Sequence, residues 1–394
     1  MGIFKYTQLN PVIFGAGAIG CVGEELAKLG CKKLLFICDP NVVTCGGTVK
    51  AEASLKEHGI DFTYWTEVVP DAPSTLINKC AEFGMKEGCD SVLGIGGGAG
   101  LDLAKGAALL IDLKETSIEK YLPPPPPTMQ PKNVPILLAP TTSGSGSEGT
   151  MVSVITDDTT GQKQAIFIHA TIGIVDPELT LTCPPSVTAA AGFDVMAHCV
   201  ESITNINRNP HSELLALSAL RRVRDNLVEC YKNGSNLEAR TEMALASNWA
   251  GLAFVDTDIH MGHATCDALS ATCHSPHGVE CAWVTPELLK MMADAVPAEI
   301  LKIADAMRVE LTGNETNLEV AVKIGNVIRA MMRECNIKKI SDFGVTRDQV
   351  VSENCANLLI GARHLWPKNP VYANKELTVE EAMQFFADIW DNYQ

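Results

Sequence analysis

The chain has 394 residues, 46% hydrophobic and 20% charged, with a formal net charge of −16 at pH 7. That length exceeds what one hydrophobic core organises, so two domains are expected. The acidic balance argues against nucleic acid or an anionic membrane as a partner, and no apolar run reaches the length of a membrane span.

The opening MGIFKYTQLNP lacks the apolar core and cleavage site of a secretory signal. Fourteen cysteines, with no Cys-x-x-Cys pair among them, read as reduced thiols in a cytoplasmic protein. Through the first 180 residues, short apolar runs alternate with helical periodicity. PVIFG, KKLLFICD, DFTYWTEV, SVLGIGGG, VPILLAPTT and IGIVDPEL read as strands, and 22–30, 47–58, 73–87 and 101–112 as helices. That alternation predicts a parallel sheet wrapped by helices. YLPPPPPTMQPKN reads as a stiff surface spacer. From 186 onward the pattern is helical: 186–204, 211–232, 237–255, 263–273, 297–309, 317–334 and 378–392. The expected organisation is an α/β dinucleotide-binding, Rossmann-like domain over 1–182, followed by an all-α domain over 183–394.

Two glycine turns compete for a cofactor. FGAGAIG, 14–20, has the Gly-x-Gly-x-x-Gly spacing, and Asp39 ends a strand nineteen residues beyond it. LGIGGGAGLDLAK, 93–105, places Gly96, Gly97 and Gly98 between a strand and a helix, where free backbone N–H groups suit a pyrophosphate. A third loop, APTTSGSGSEGT, follows the next strand and faces the sheet's carboxyl edge. In GFDVMAHCVES, Asp194 and His198 lie four apart on one helical face, and HMGHATCDALSATCHSPHG adds His260, His263, His274 and His277. A carboxylate with imidazoles suits Zn²⁺ or Fe²⁺.

In order, GGGAGLDLAK, PTTSGSGSE, IVDPELT, GFDVMAHCVES and GHATCD…HSPHG resemble the motifs of the iron-containing (group III) alcohol dehydrogenase family over nearly the whole chain. The resemblance implies an α/β and an all-α domain, NAD(P) and one divalent metal. It implies Asp194, His198, His263 and His277 as metal ligands and Gly96, Gly97 and Gly98 on the pyrophosphate. Thr141, Thr142, Asp102 and Lys163 would lie along the cofactor. GAGAIG becomes a turn into the first helix, while Asp39 sits by the ribose and favours NAD(H). Fe²⁺ is placed ahead of Zn²⁺.

The activity implied is hydride transfer between the nicotinamide and a small aldehyde or primary alcohol, with the metal as Lewis acid. The alternatives are a hydroxyacid–oxoacid transhydrogenase or a polyol dehydrogenase of the same superfold. The family's second histidine, four residues past the third ligand, is here Asp267, so proton relay is left among His260, His274 and Asp267; Asp267 could instead orient a metal-bound imidazole. Asp256, Asp258 and Asp267 are expected to make the pocket polar. No cysteine is expected within the ligand set. A homodimer or larger homo-oligomer is the expected assembly.

Overall fold

The computed structural model describes residues 3–122 and 128–393, so Pro123–Pro127 of the proline-rich spacer lie outside the described residues. The chain forms two compact units, residues 8–183 and residues 184–394 joined by the N-terminal seven.

The first unit carries strands β1 (Val12–Phe14), β2 (Lys33–Cys38), β3 (Asp61–Trp65), β4 (Ser91–Gly96), β5 (Ile136–Pro140), β6 (Val152–Asp157), β7 (Gln162–Phe167) and β8 (Ile172–Val175). Six of them pair in parallel in the order β1-β8-β5-β4-β2-β3, with Gly94 opposite Ile37 and Leu138. β4 and β5 are buried along their whole length, which explains their near-continuous apolar sequence. Helices α1 (Val22–Lys28), α2 (Pro40–Thr44), α3 (Val49–Glu57), α4 (Ser74–Glu87) and α5 (Gly98–Leu113) connect them. β6 and β7 form a separate antiparallel hairpin absent from the sequence reading. β6 mixes apolar with polar residues and β7 opens on three polar ones, a weaker signal than the long runs of the central strands.

The second unit contains α6 (Pro185–Thr204), α7 (Pro210–Lys232), α8 (Leu237–Thr257), α9 (Met261–Cys273), α10 (His277–Met292), α11 (Pro297–Ala306), α12 (Asn317–Glu334), α13 (Arg347–Val350), α14 (Glu353–Gly361) and α15 (Val379–Asn392). α6 is its axis, with fifteen of twenty residues buried. α10 crosses it at backbone contact: a Cβ on Gly278 would stand 1.9 Å from the Ala190 carbonyl oxygen. Only glycine permits that approach, and it carries His277 up to Asp194.

The first residues, read as part of the α/β domain, pack instead on the helical unit. The Thr7 amide donates to Asp256 at 3.4 Å, and Tyr6 stacks on His211 with centroids 4.4 Å apart. Among the described residues no helix is long and apolar enough to cross a membrane.

Candidate functional site

One turn of α6 separates Asp194 from His198, while α9 and α10 supply His263 and His277. The three imidazole Nε2 atoms converge on Asp194 Oδ1, at 3.5 Å from His198, 3.5 Å from His263 and 3.6 Å from His277. His198 and His263 are stacked, with centroids 4.6 Å apart. Their side chains are 7% and 5% accessible, whereas that of His277 is 40% accessible and leaves the cluster open on one side.

The donors fit a divalent ion. His263 Nε2, which faces Asp194, is buried without a hydrogen-bond partner, an arrangement normally costly in a protein interior. Glu201, one turn beyond His198 on α6, takes the other nitrogen of His263: Nδ1 lies 2.5 Å from Oε1. With that proton directed to the carboxylate, the Nε2 lone pair is free for a metal. Glu201 also accepts from the His263 and His260 backbone amides. It reaches them because a Cβ on Gly262 would stand 2.4 Å from Oε1. Burial alone would raise the Glu201 carboxyl, but His263 and His260 overcome it and hold it at about 2. Burial takes His198 and His260 down to about 4, against the pull of their carboxylates, so both rings are neutral at pH 7.

Cys281, outside the expected ligand set, stands beside it. It follows His277 by one turn of α10, and its Sγ lies 3.7 Å from Asp194 Oδ1 and 3.7 Å from His277 Nε2. Donor atoms of Asp194, His263, His277 and Cys281 all fall within 4.8 Å of one another.

In the α/β unit, the carboxyl ends of β4 and β5 are tied by the Thr141 amide donating to the Gly96 carbonyl at 2.9 Å. Gly97 caps α5 at its N-terminus, and a Cβ there would meet Thr142 only at 3.6 Å; one on Gly98 would meet Ser145 at 3.4 Å. Neither glycine has a positive φ. The surrounding protein therefore meets a side chain at Gly97 only in ordinary van der Waals contact, at the N-terminus of α5. By contrast, the amides of Gly17 and Ile19 in GAGAIG already donate to the Asp176 carboxylate, at 3.0 and 3.1 Å. An internal carboxylate occupies that turn, where a phosphate would otherwise sit.

Asp39 ends β2 and caps α2, with Oδ1 accepting from the Asn41 amide at 2.7 Å. Asp102 accepts from Ser147 at 3.2 Å, and the fully buried Lys105, one turn along α5, donates to Ser147 at 2.8 Å and to the Val152 carbonyl at 2.8 Å. Together they brace the Thr141–Ser147 loop. Burial raises Asp102 to about 6 against Lys105, and lowers Lys105 to about 8 against Asp102 and Glu148. Lys163 lies on β7, paired with Asp71 at 2.9 Å.

The three relay candidates do not gather. His260 is completely enclosed, 3.0 Å from Thr204 Oγ1 and beside Glu201, so it supports the ligand frame from within. Asp267 and His274 are exposed on α9 and at its end. The acids expected to polarise the pocket are engaged elsewhere: Asp256 with Thr7, and Asp258 in an ion pair with Lys368. Sequence reading also passed over Glu201 and Lys105, though each shares a helical face with a named residue, Glu201 with His198 and Lys105 with Asp102.

A family model described as iron-containing alcohol dehydrogenase matches residues 10–177, and one for the C-terminal part of the Fe-containing alcohol dehydrogenase family matches 188–384. The chain is 31% identical over 382 residues to the sulfoacetaldehyde reductase of Bilophila wadsworthia (strain 3_1_6), covering 95% of this chain and 96% of that protein. It is 34% identical over 346 residues to long-chain-alcohol dehydrogenase 1 of Geobacillus thermodenitrificans (strain NG80-2), covering 86% of each. Among solved structures, sulfoacetaldehyde reductase from Bifidobacterium kashiwanohense in complex with NAD+ superposes with a TM-score of 0.88 at 26% identity, covering the whole of both chains.

Proposed function

Since the chain belongs to the iron-containing alcohol dehydrogenase family, we propose that it interconverts a small polar aldehyde and its primary alcohol with NAD(H). The carrying observation is the convergence of three imidazole nitrogens on Asp194, with His263 Nε2 left free by Glu201. Asp194, His198, His263 and His277 would hold the ion, Fe²⁺ ahead of Zn²⁺. A divalent ion there supplies Lewis acidity, lowering the pKa of an alcohol and polarising a carbonyl.

The remaining work belongs to the chain's own groups. Glu201 fixes the ring of His263, and His260 backs Glu201. His277 forms the accessible rim through which a small substrate enters. Gly96, Gly97 and Gly98 bind the pyrophosphate at the α5 N-terminus, and Thr141 and Thr142 flank it. Asp102 and Lys105 hold that loop in place. Asp39 accepts from the ribose hydroxyls, selecting NAD(H) over NADP(H). Lys163 approaches the cofactor from the hairpin. With His260 enclosed, Asp267 and His274 are left as the candidates to pass the alcohol proton to solvent.

A small polar substrate is supported by the near end-to-end likeness to a sulfoacetaldehyde reductase. A reducing, cytoplasmic setting is supported by fourteen cysteines, none of them disulfide-bonded among the described residues, and a homodimer is the proposed assembly. The test is NADH and NADPH oxidation with an aldehyde panel: sulfoacetaldehyde, 3-hydroxypropionaldehyde, propionaldehyde and decanal. Faster NADH oxidation with the first two supports the reading. Preference for decanal would overturn the substrate class, and retention of tightly bound nicotinamide with no use of free NADH would point to a transhydrogenase.

A further inference from the structure

We propose that Cys281 is itself a ligand of the metal in this chain, an inference that rests on the metal-site reading above. The first support is placement. Cys281 is fully buried, one helical turn past His277 and on the same face, so the α10 backbone that presents the imidazole presents the sulfur with it.

Donor spacing is the second support. Across a tetrahedral ion, bonds of about 2.0–2.1 Å to nitrogen and oxygen set donor separations of about 3.3–3.4 Å, and a sulfur bond of about 2.3 Å widens its own to about 3.5–3.6 Å. The observed oxygen-to-nitrogen separations are 3.5, 3.5 and 3.6 Å, and both sulfur separations are 3.7 Å. Sulfur stands slightly farther out than the other donors, in the sense its longer bond demands.

The third support is the group behind it. The Cys266 thiol, on α9, donates toward Cys281 Sγ at 3.8 Å. With its proton turned to Cys281, that thiol would steady a metal-bound thiolate, the role that outer hydrogen bonds play at such ligands. Asp194, His263 and His277 are therefore common to two four-donor sets, one closed by His198 and the other by Cys281. A soft sulfur donor weights the site toward Zn²⁺ and Co²⁺ over hard oxygen-seeking ions.

The test is spectroscopic and needs no turnover. The full chain is loaded anaerobically with Co²⁺, metal per chain is counted, and the near-ultraviolet region is recorded for wild type, Cys281→Ser and Cys266→Ser. The expected result is a sulfur-to-cobalt charge-transfer band in wild type and Cys266→Ser that is lost in Cys281→Ser at equal cobalt content. Zinc-edge X-ray absorption of the wild type should independently show one sulfur neighbour at about 2.3 Å, and decides the matter alone if Cys281→Ser does not fold. One bound metal with only nitrogen and oxygen neighbours, or a band that survives in Cys281→Ser, would overturn the proposal while leaving the metal site intact. Failure of the wild type to bind any metal would overturn both.

Discussion

Replacing Glu201 by Gln probes the frame behind the candidate metal site without changing its shape. The carboxylate is completely buried and accepts from His263 Nδ1 at 2.5 Å, from the His263 amide at 3.1 Å and from the His260 amide. A glutamine has one acceptor oxygen. If that oxygen stays with His263, the new NH₂ group faces the His260 N–H, donor against donor. One buried amide is then unpaired, a loss of about 1–3 kcal/mol of folding stability. The proton on His263 Nδ1 is also no longer held by a negative charge, and loss of such a partner typically costs about 10–100-fold in metal affinity. Competition with a chelator for Zn²⁺ measures the second effect, and urea unfolding of the metal-free protein the first. Unchanged metal affinity in Glu201→Gln would refute the assignment of Glu201 as the group that sets the His263 tautomer.

Three further outcomes follow from other parts of the chain. Gly97→Ala should fold with unchanged stability, since its Cβ meets nothing closer than 3.6 Å, yet weaken NADH binding at least about tenfold, a loss near 1.4 kcal/mol by calorimetry; wild-type affinity would remove the pyrophosphate from that turn. Asp176→Asn should lower thermal stability by loosening the GAGAIG turn while leaving the NADH Kd unaltered, and a large rise in Kd would return the phosphate to that turn. His260 is held neutral, down at about 4 in the folded chain against 6.5 unfolded, so the unfolded state binds the extra proton between those values. Its contribution is therefore complete above pH 6.5 and is lost as pH falls toward 4, on the order of 3 kcal/mol. His260→Asn should flatten that part of the stability profile of the metal-free protein; an unchanged slope would show that His260 does not govern it.

The central strands were legible because a sheet covered on both faces needs unbroken apolar runs, as in LLFIC and ILLAP. α10 was hidden: Pro286 interrupts it, and nearly every residue is buried, so no polar face marks its period. Asp194, His198, His263 and His277 could be named because Asp194 and His198 lie at helical spacing, histidines are rare in the chain, and the motifs follow family order. Glu201 could not be weighted in the same way, since α6 is buried all round and periodicity there singles out no face. The rivalry of the two glycine turns was beyond spacing alone. It turns on Asp176, more than 150 residues away, reaching back to Gly17 and Ile19. Cys281 stood four residues past His277 and was legible in principle, but a ligand set already complete gave no reason to look for it.

Anaerobic reloading tests most directly whether the Asp194 cluster is the catalytic centre. The metal is stripped, Fe²⁺ or Zn²⁺ is returned in steps, and NADH oxidation with an aldehyde substrate is followed against metal bound per chain. The expected result is a rate that rises in proportion to metal and levels off at one ion per chain, with neither binding nor turnover in His263→Ala. Full activity in the stripped protein, or in His263→Ala, would contradict it.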